Sequence, residues 1–154
     1  MAQQVPNPFQ NIQINVPVEY RETLSRYSQA GQEGANPDLI PFPRMIDMWY
    51  LSICVAAKLG LTPINLTGHG MHHFIDGSIL GGDNARIQNL QLIAIAHTKD
   101  ADVVKSPTEM MRIAHGLAAA GLPEVIDMLE GNDDPIHNLS EKLVELLGRS
   151  GVGG

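Results

Sequence analysis

Four residues combine the types and the spacing needed for chemistry: His69, His72, His73 and Asp76, within His-Gly-Met-His-His-Phe-Ile-Asp. Neutral imidazoles and a carboxylate are a donor set for zinc or another first-row metal, and on that reading the chain is a small metal-dependent hydrolase. The stretch lacks the H-E-x-x-H spacing that presents two histidines from one helix turn, and Gly68 and Gly70 disfavour a helix altogether. The other reading of the same residues is a solvent-facing loop whose histidines bond locally or meet a partner, and this is the reading preferred, with no metal bound. Elsewhere the catalytic signatures are missing: no G-x-S-x-G elbow, no phosphate loop and no G-x-G-x-x-G. No cofactor is expected.

The remaining titratable candidates have structural explanations. Asp47 and Lys58 lie eleven residues apart on one predicted helix, about 16 Å at 1.5 Å per residue, and cannot pair. Asp47 suits the positive end of that helix dipole, while His97 and Lys99 suit the negative end of a later one. His115 falls inside a helix and reads as a satisfied interior histidine. Cys54, the single cysteine, lies in an apolar helix as an inert thiol, and one cysteine permits no disulfide within the chain.

The elements that must position these groups are mostly helices. Residues 43–60 form the hub, with only Asp47, Ser52 and Lys58 plainly polar between positions 45 and 59. A helix apolar nearly all round is one that others surround. Pro43 suits its first turn and Gly60 the left-handed position after its last. The spacing predicts a first helix over 18–29, and a helix over 85–97 capped by Asp83 or Asn84 and second only to the hub in burial. Ser106-Pro-Thr-Glu109 starts another, with serine as cap, proline at the first position and glutamate reaching back. That helix is expected to stop at Gly121, a short one to follow over 122–131, and a last one to span 138–147. Two apolar runs, 64–66 and 71–75, flank Thr67-Gly-His-Gly70 and suggest a β-hairpin or a compact ordered loop. The expected fold is therefore mainly α, a compact bundle of five or six helices around the hub with a possible small hairpin.

Residues 1–15 are rich in Gln, Asn and Pro and read as a flexible or partner-bound arm, ahead of a single helical domain over 16–147 and a flexible tail over 148–154. Ile12, Ile14 and Val16 alternate with polar residues, as in a short strand or a segment laid on a neighbour. The residues expected to meet a partner are Ile12, Ile14, His72, His73 and Phe74. A loop over 30–37 is the expected joint. The net charge of −7 argues against a protein that coats duplex nucleic acid, whose affinity comes from clustered Lys and Arg. Most of the excess lies after Gly121, where seven acids face Lys142 and Arg149. No membrane-spanning run and no leader pattern are read, so a cytoplasmic protein is expected.

The order of Pro41-Phe42, the apolar helix ending in Lys58-Leu-Gly60, and Phe74-Ile75 is followed by Leu90-Gln-Leu-Ile-Ala-Ile-Ala-His-Thr-Lys-Asp100 and Ile113-Ala-His-Gly-Leu-Ala-Ala-Ala-Gly121. Over residues 40–129 this resembles the small bacterial DNA phosphorothioation-associated proteins, encoded beside DNA sulfur-modification and restriction genes. The resemblance implies a non-catalytic accessory subunit of an anti-phage defence system of the restriction-modification kind, acting by protein–protein interaction. Its partner would be a larger subunit, an ATPase or a nuclease, or further copies of itself in a homo-oligomer.

Overall fold

In the computed structural model, residues 6–29, 39–131 and 134–148 are described; the expected joint at 30–37 and the tail from 149 onward lie outside them. Among the described residues the chain is mainly helical with one two-stranded antiparallel sheet. The order is β1 (Gln13–Pro17), α1 (Arg21–Arg26), α2 (Met45–Leu59), β2 (Met71–Asp76), α3 (Asn84–Thr98), α4 (Pro107–Leu129) and α5 (Pro135–Gly148), with single 3-10 turns at Val18–Tyr20, Gly77–Leu80 and Ala101–Lys105. No described helix is long and apolar enough to cross a membrane.

The hub α2 ends as its sequence dictates. Gly60 takes φ 69°, which a side chain would resist, and Leu61 N–H then reaches back to the Ala56 carbonyl at 2.9 Å. Its start differs from expectation. Pro43 lies ahead of the helix, Arg44 is the extended cap residue, and the Asp47 carboxylate accepts from Arg44 N–H at 3.0 Å. Asp47 thus satisfies backbone at the positive end of the dipole. Trp49, fully buried, sits mid-helix between the Phe74 ring (centroids 6.5 Å apart) and the His115 ring (6.3 Å, edge-on).

The second spine is α4, not α3. Twelve of its residues are buried, against only Ile87, Leu90 and Ala94 in α3, where His97 and Leu92 face solvent. The run Leu92-Ile-Ala-Ile-Ala reads apolar all round, but one side of it has no described neighbour to cover it. Nor does α4 break at Gly121. It runs on through Pro123, and the predicted separate helix over 122–131 is its last two turns. A proline inside a helix costs about 3 kcal/mol. Leu122, Val125 and Leu129, all buried around it, supply an apolar burial large enough to offset that. Gly121 serves a different purpose: α2 crosses there so closely that a Cβ would run into the Ser52 carbonyl. Trp49 meets His115 and Ser52 meets Gly121, so α2 and α4 lie side by side running the same way.

Where α2 and α3 face one another the contact is polar. Arg86 pairs with Asp47 at 2.9 Å and with Asp83 at 3.4 Å, its guanidinium lies 4.7 Å from the centre of the Tyr50 ring, and Asn89 donates to the Tyr50 hydroxyl at 2.7 Å. Asp47 and Arg86 are only 15% and 23% exposed, so the pair is partly shielded from screening water. Arg86→Leu is expected to lower unfolding free energy by about 1 kcal/mol, since it removes the closer of two guanidinium groups from a shielded carboxylate, leaving Arg44 at 3.3 Å, and takes a cation from an aromatic face. Urea unfolding would check this.

The small two-stranded element is present, but 64–66 is an ordered loop rather than its second strand. Residues 64–66 lie against α4, with Ile64 N–H bonded to the Gly116 carbonyl at 3.0 Å, and β2 pairs instead with β1. The reason is burial: Ile14 and Val16 on β1, both fully buried, give β2 an apolar partner that 64–66 does not. The expected arm is therefore part of the fold from residue 7 onward. Phe9 is buried, Asn7 Nδ2 donates to the Gly77 carbonyl, and Gly77 N–H bonds the Ile12 carbonyl at 2.7 Å.

Candidate functional site

The histidines expected in a loop stand on or just before β2. The register sets His72 opposite Val16 and His73 opposite Asn15, but Ile14 opposite Ile75, so Phe74 is an extra residue, a β-bulge. Opposite residues share a face, so His72 lies on the side of buried Val16 and His73 on the outer side. The bulge shifts the alternation after it and returns Asp76 to the outer face, where its carboxylate lies 2.9 Å from His73 Nε2. His73 and Asp76 are thus together, His72 is turned from them, and His69 lies in the turn before the strand. Among the described residues no three His, Cys, Asp or Glu side chains are grouped to hold a metal ion. Ile14 lies wholly in the protein's own core, so it is not free to meet a partner as expected; Phe74, half-buried, packs toward Trp49, and Ile12 is half-covered.

What β2 does present is an edge. Its inner side pairs with β1, and no third strand pairs with its outer side among the described residues. The backbone of Asn15 points away from β2, since its N–H donates to His115 Nε2 at 3.1 Å. In an antiparallel ladder the residue opposite points away in the other direction, so the His73 N–H and C=O face the open edge.

His115 therefore caps the far edge of β1. The bond requires a bare Nε2, and burial holds the imidazole neutral by pulling its pKa down to about 4. Asn15, Arg112 and His115 also separate two surface depressions of about 170 and 430 Å³. Arg112 turns to Glu109 in a two-pronged ion pair, which holds the Glu109 carboxyl below its ordinary range. Glu109 was expected to reach back to the helix cap; the exposed guanidinium three residues on takes it instead, while Ser106 Oγ still accepts from Glu109 N–H.

No family model matches the chain, and no curated protein or solved structure does either. Cys54 is half-buried beside Tyr50, and burial pushes its thiol pKa up, away from the thiolate a nucleophile needs. A third depression, about 200 Å³, lies between α4 and α5 at the end of α2, lined by Leu59, Glu124, Asp127, Met128, Glu145 and Leu146, with Lys142. Sequence reading missed the Asn15–His115 pair, whose members stand one hundred positions apart. It singled out the acids of 124–145, but nothing in their spacing shows the apolar floor between them.

Proposed function

We propose that the chain is a non-catalytic accessory subunit of a bacterial anti-phage defence complex of the DNA modification and restriction type. It acts by binding a larger protein, an ATPase or a nuclease. The defence setting rests on the resemblance over residues 40–129. The observation that supports the binding role is the open edge of β2, since an unpaired strand edge is a template for an added strand. Here the edge carries His73, whose outward N–H and C=O would join the ladder of an extended segment of the partner.

Co-expression of the tagged full chain with the products of its neighbouring genes tests the reading. A stoichiometric complex is expected by size exclusion with light scattering. His73→Pro is expected to weaken it about tenfold or more, because proline removes the outward donor while leaving the β1 ladder intact. Circular dichroism of that variant should be unchanged. A free monomer beside all of its neighbours would end the accessory-subunit reading.

A further inference from the structure

We infer that the groove between α4 and α5 receives a basic amphipathic helix of a partner protein. This surface lies apart from the β2 edge and shares with the proposed function only the assumption that the chain has a protein partner.

Three observations point to that occupant. Leu59, Met128 and Leu146 give the groove an apolar floor, while Glu124, Asp127 and Glu145 rim it. None of the three acids has a described ion-pair partner except Glu145, which holds Lys142 at 3.8 Å. At about 200 Å³ the groove is smaller than the roughly 300 Å³ at which small-molecule sites begin, and suits one or two aliphatic side chains projecting from a helix. Finally, α2 ends at the groove: Leu59 is its last residue, which brings the negative end of that helix's macrodipole beside the carboxylates.

Charge also selects against another copy of the chain. Residues 121–148 carry Glu124, Asp127, Glu130, Asp133, Asp134, Glu141 and Glu145 against the single Lys142, so two such faces would repel. Met128 adds an unbranched, polarizable side chain that adapts to whichever aliphatic residue enters.

The test uses the full chain and a synthetic peptide of about 20 residues, long enough for a stable helix, with leucine at i, i+3, i+4 and i+7 and lysine elsewhere. A second peptide keeps the composition but scatters the leucines. Fluorescence anisotropy is expected to show the patterned peptide binding about tenfold tighter or more, with affinity falling as salt rises. Amide chemical shifts are expected to move around Leu59, Met128 and Leu146. Glu124→Lys with Glu145→Lys should weaken binding about tenfold, whereas Glu19→Lys with Asp102→Lys, the same charge change elsewhere, should leave it within about twofold. Equal binding of the scattered peptide, shifts centred elsewhere, or self-association of the chain through this groove would each overturn the inference. His73→Pro should leave peptide binding unchanged, so the failure of one reading is distinguishable from the failure of the other.

Discussion

Gly121→Ala is expected to lower unfolding free energy by about 3 kcal/mol or more, at the upper end of what overpacking costs. The new Cβ would be driven into the carbonyl oxygen of Ser52, a backbone atom in the middle of α2 that no side-chain rotation can move aside. The neighbours leave no slack. Ile53, Leu117, Ala118 and Leu122 around the crossing are all buried, and the Ser52 hydroxyl is already committed to the Met48 carbonyl at 2.8 Å. The only relief is separation of the two helices, which opens the core along its main seam. Two other glycines calibrate the result. At Gly116 a Cβ would lie 2.7 Å from the Ile64 carbonyl, but that carbonyl belongs to a loop able to give, so Gly116→Ala is expected to cost about 1–2 kcal/mol. Gly148, with open space around it at the end of α5, should gain about 0.5 kcal/mol on becoming alanine. Urea midpoints in that order support the tight crossing; Gly121→Ala behaving like Gly148→Ala would refute it.

Stability is also expected to fall by about 3 kcal/mol between pH 6.5 and pH 4 on account of His115 alone. The sign follows from the depressed folded pKa. Burial holds the ring neutral down to about pH 4, whereas in the unfolded chain it takes up a proton near 6.5. Between those values the unfolded state binds more protons, so the contribution is full above pH 6.5 and is lost as the pH drops toward 4. The structural counterpart is the Asn15 N–H, which bonds a bare Nε2 and would face a second N–H if the ring were protonated. Carboxylates elsewhere add their own acid dependence, so the measurement is a difference. His115→Gln offers an amide oxygen to the same N–H but does not titrate, and its denaturation curves from pH 7 to pH 4 should lack about 3 kcal/mol of the wild-type slope. Parallel pH profiles for the two proteins would show that the histidine does not cap β1.

Both expectations concern pairs of elements far apart in the chain, and they mark the limit of what could be read before the fold was known. Local signals held. Gly60 ends α2 in the left-handed region, Ser106 with Pro107 starts α4, and Asp83 caps α3 through the Arg86 N–H, because each depends on residues within one turn. The mainly helical class followed from apolar spacing for the same reason.

Gly121 shows how the same residue type changes meaning with its surroundings. By itself it reads as a helix end, and Pro123 two residues later strengthens that reading. Only the arrival of α2 against its backbone makes it the place where two helices touch while α4 runs on. The histidine stretch changed in the same way. Its composition allowed a loop with converging rings, but pairing with β1 made it a strand, strand alternation sent His72 and His73 to opposite faces, and one bulge brought Asp76 back beside His73. Sequence alone determined which segments are helical, where several of them end, and that Ile14 and Val16 needed cover. Tertiary structure decided that β2 covers them, that Asn15 meets His115 on the other edge, and that the acids of α4 and α5 surround an apolar floor. Helix ends depend on hydrogen bonds between near neighbours, whereas strand partners and helix crossings depend on which distant surfaces exclude water together.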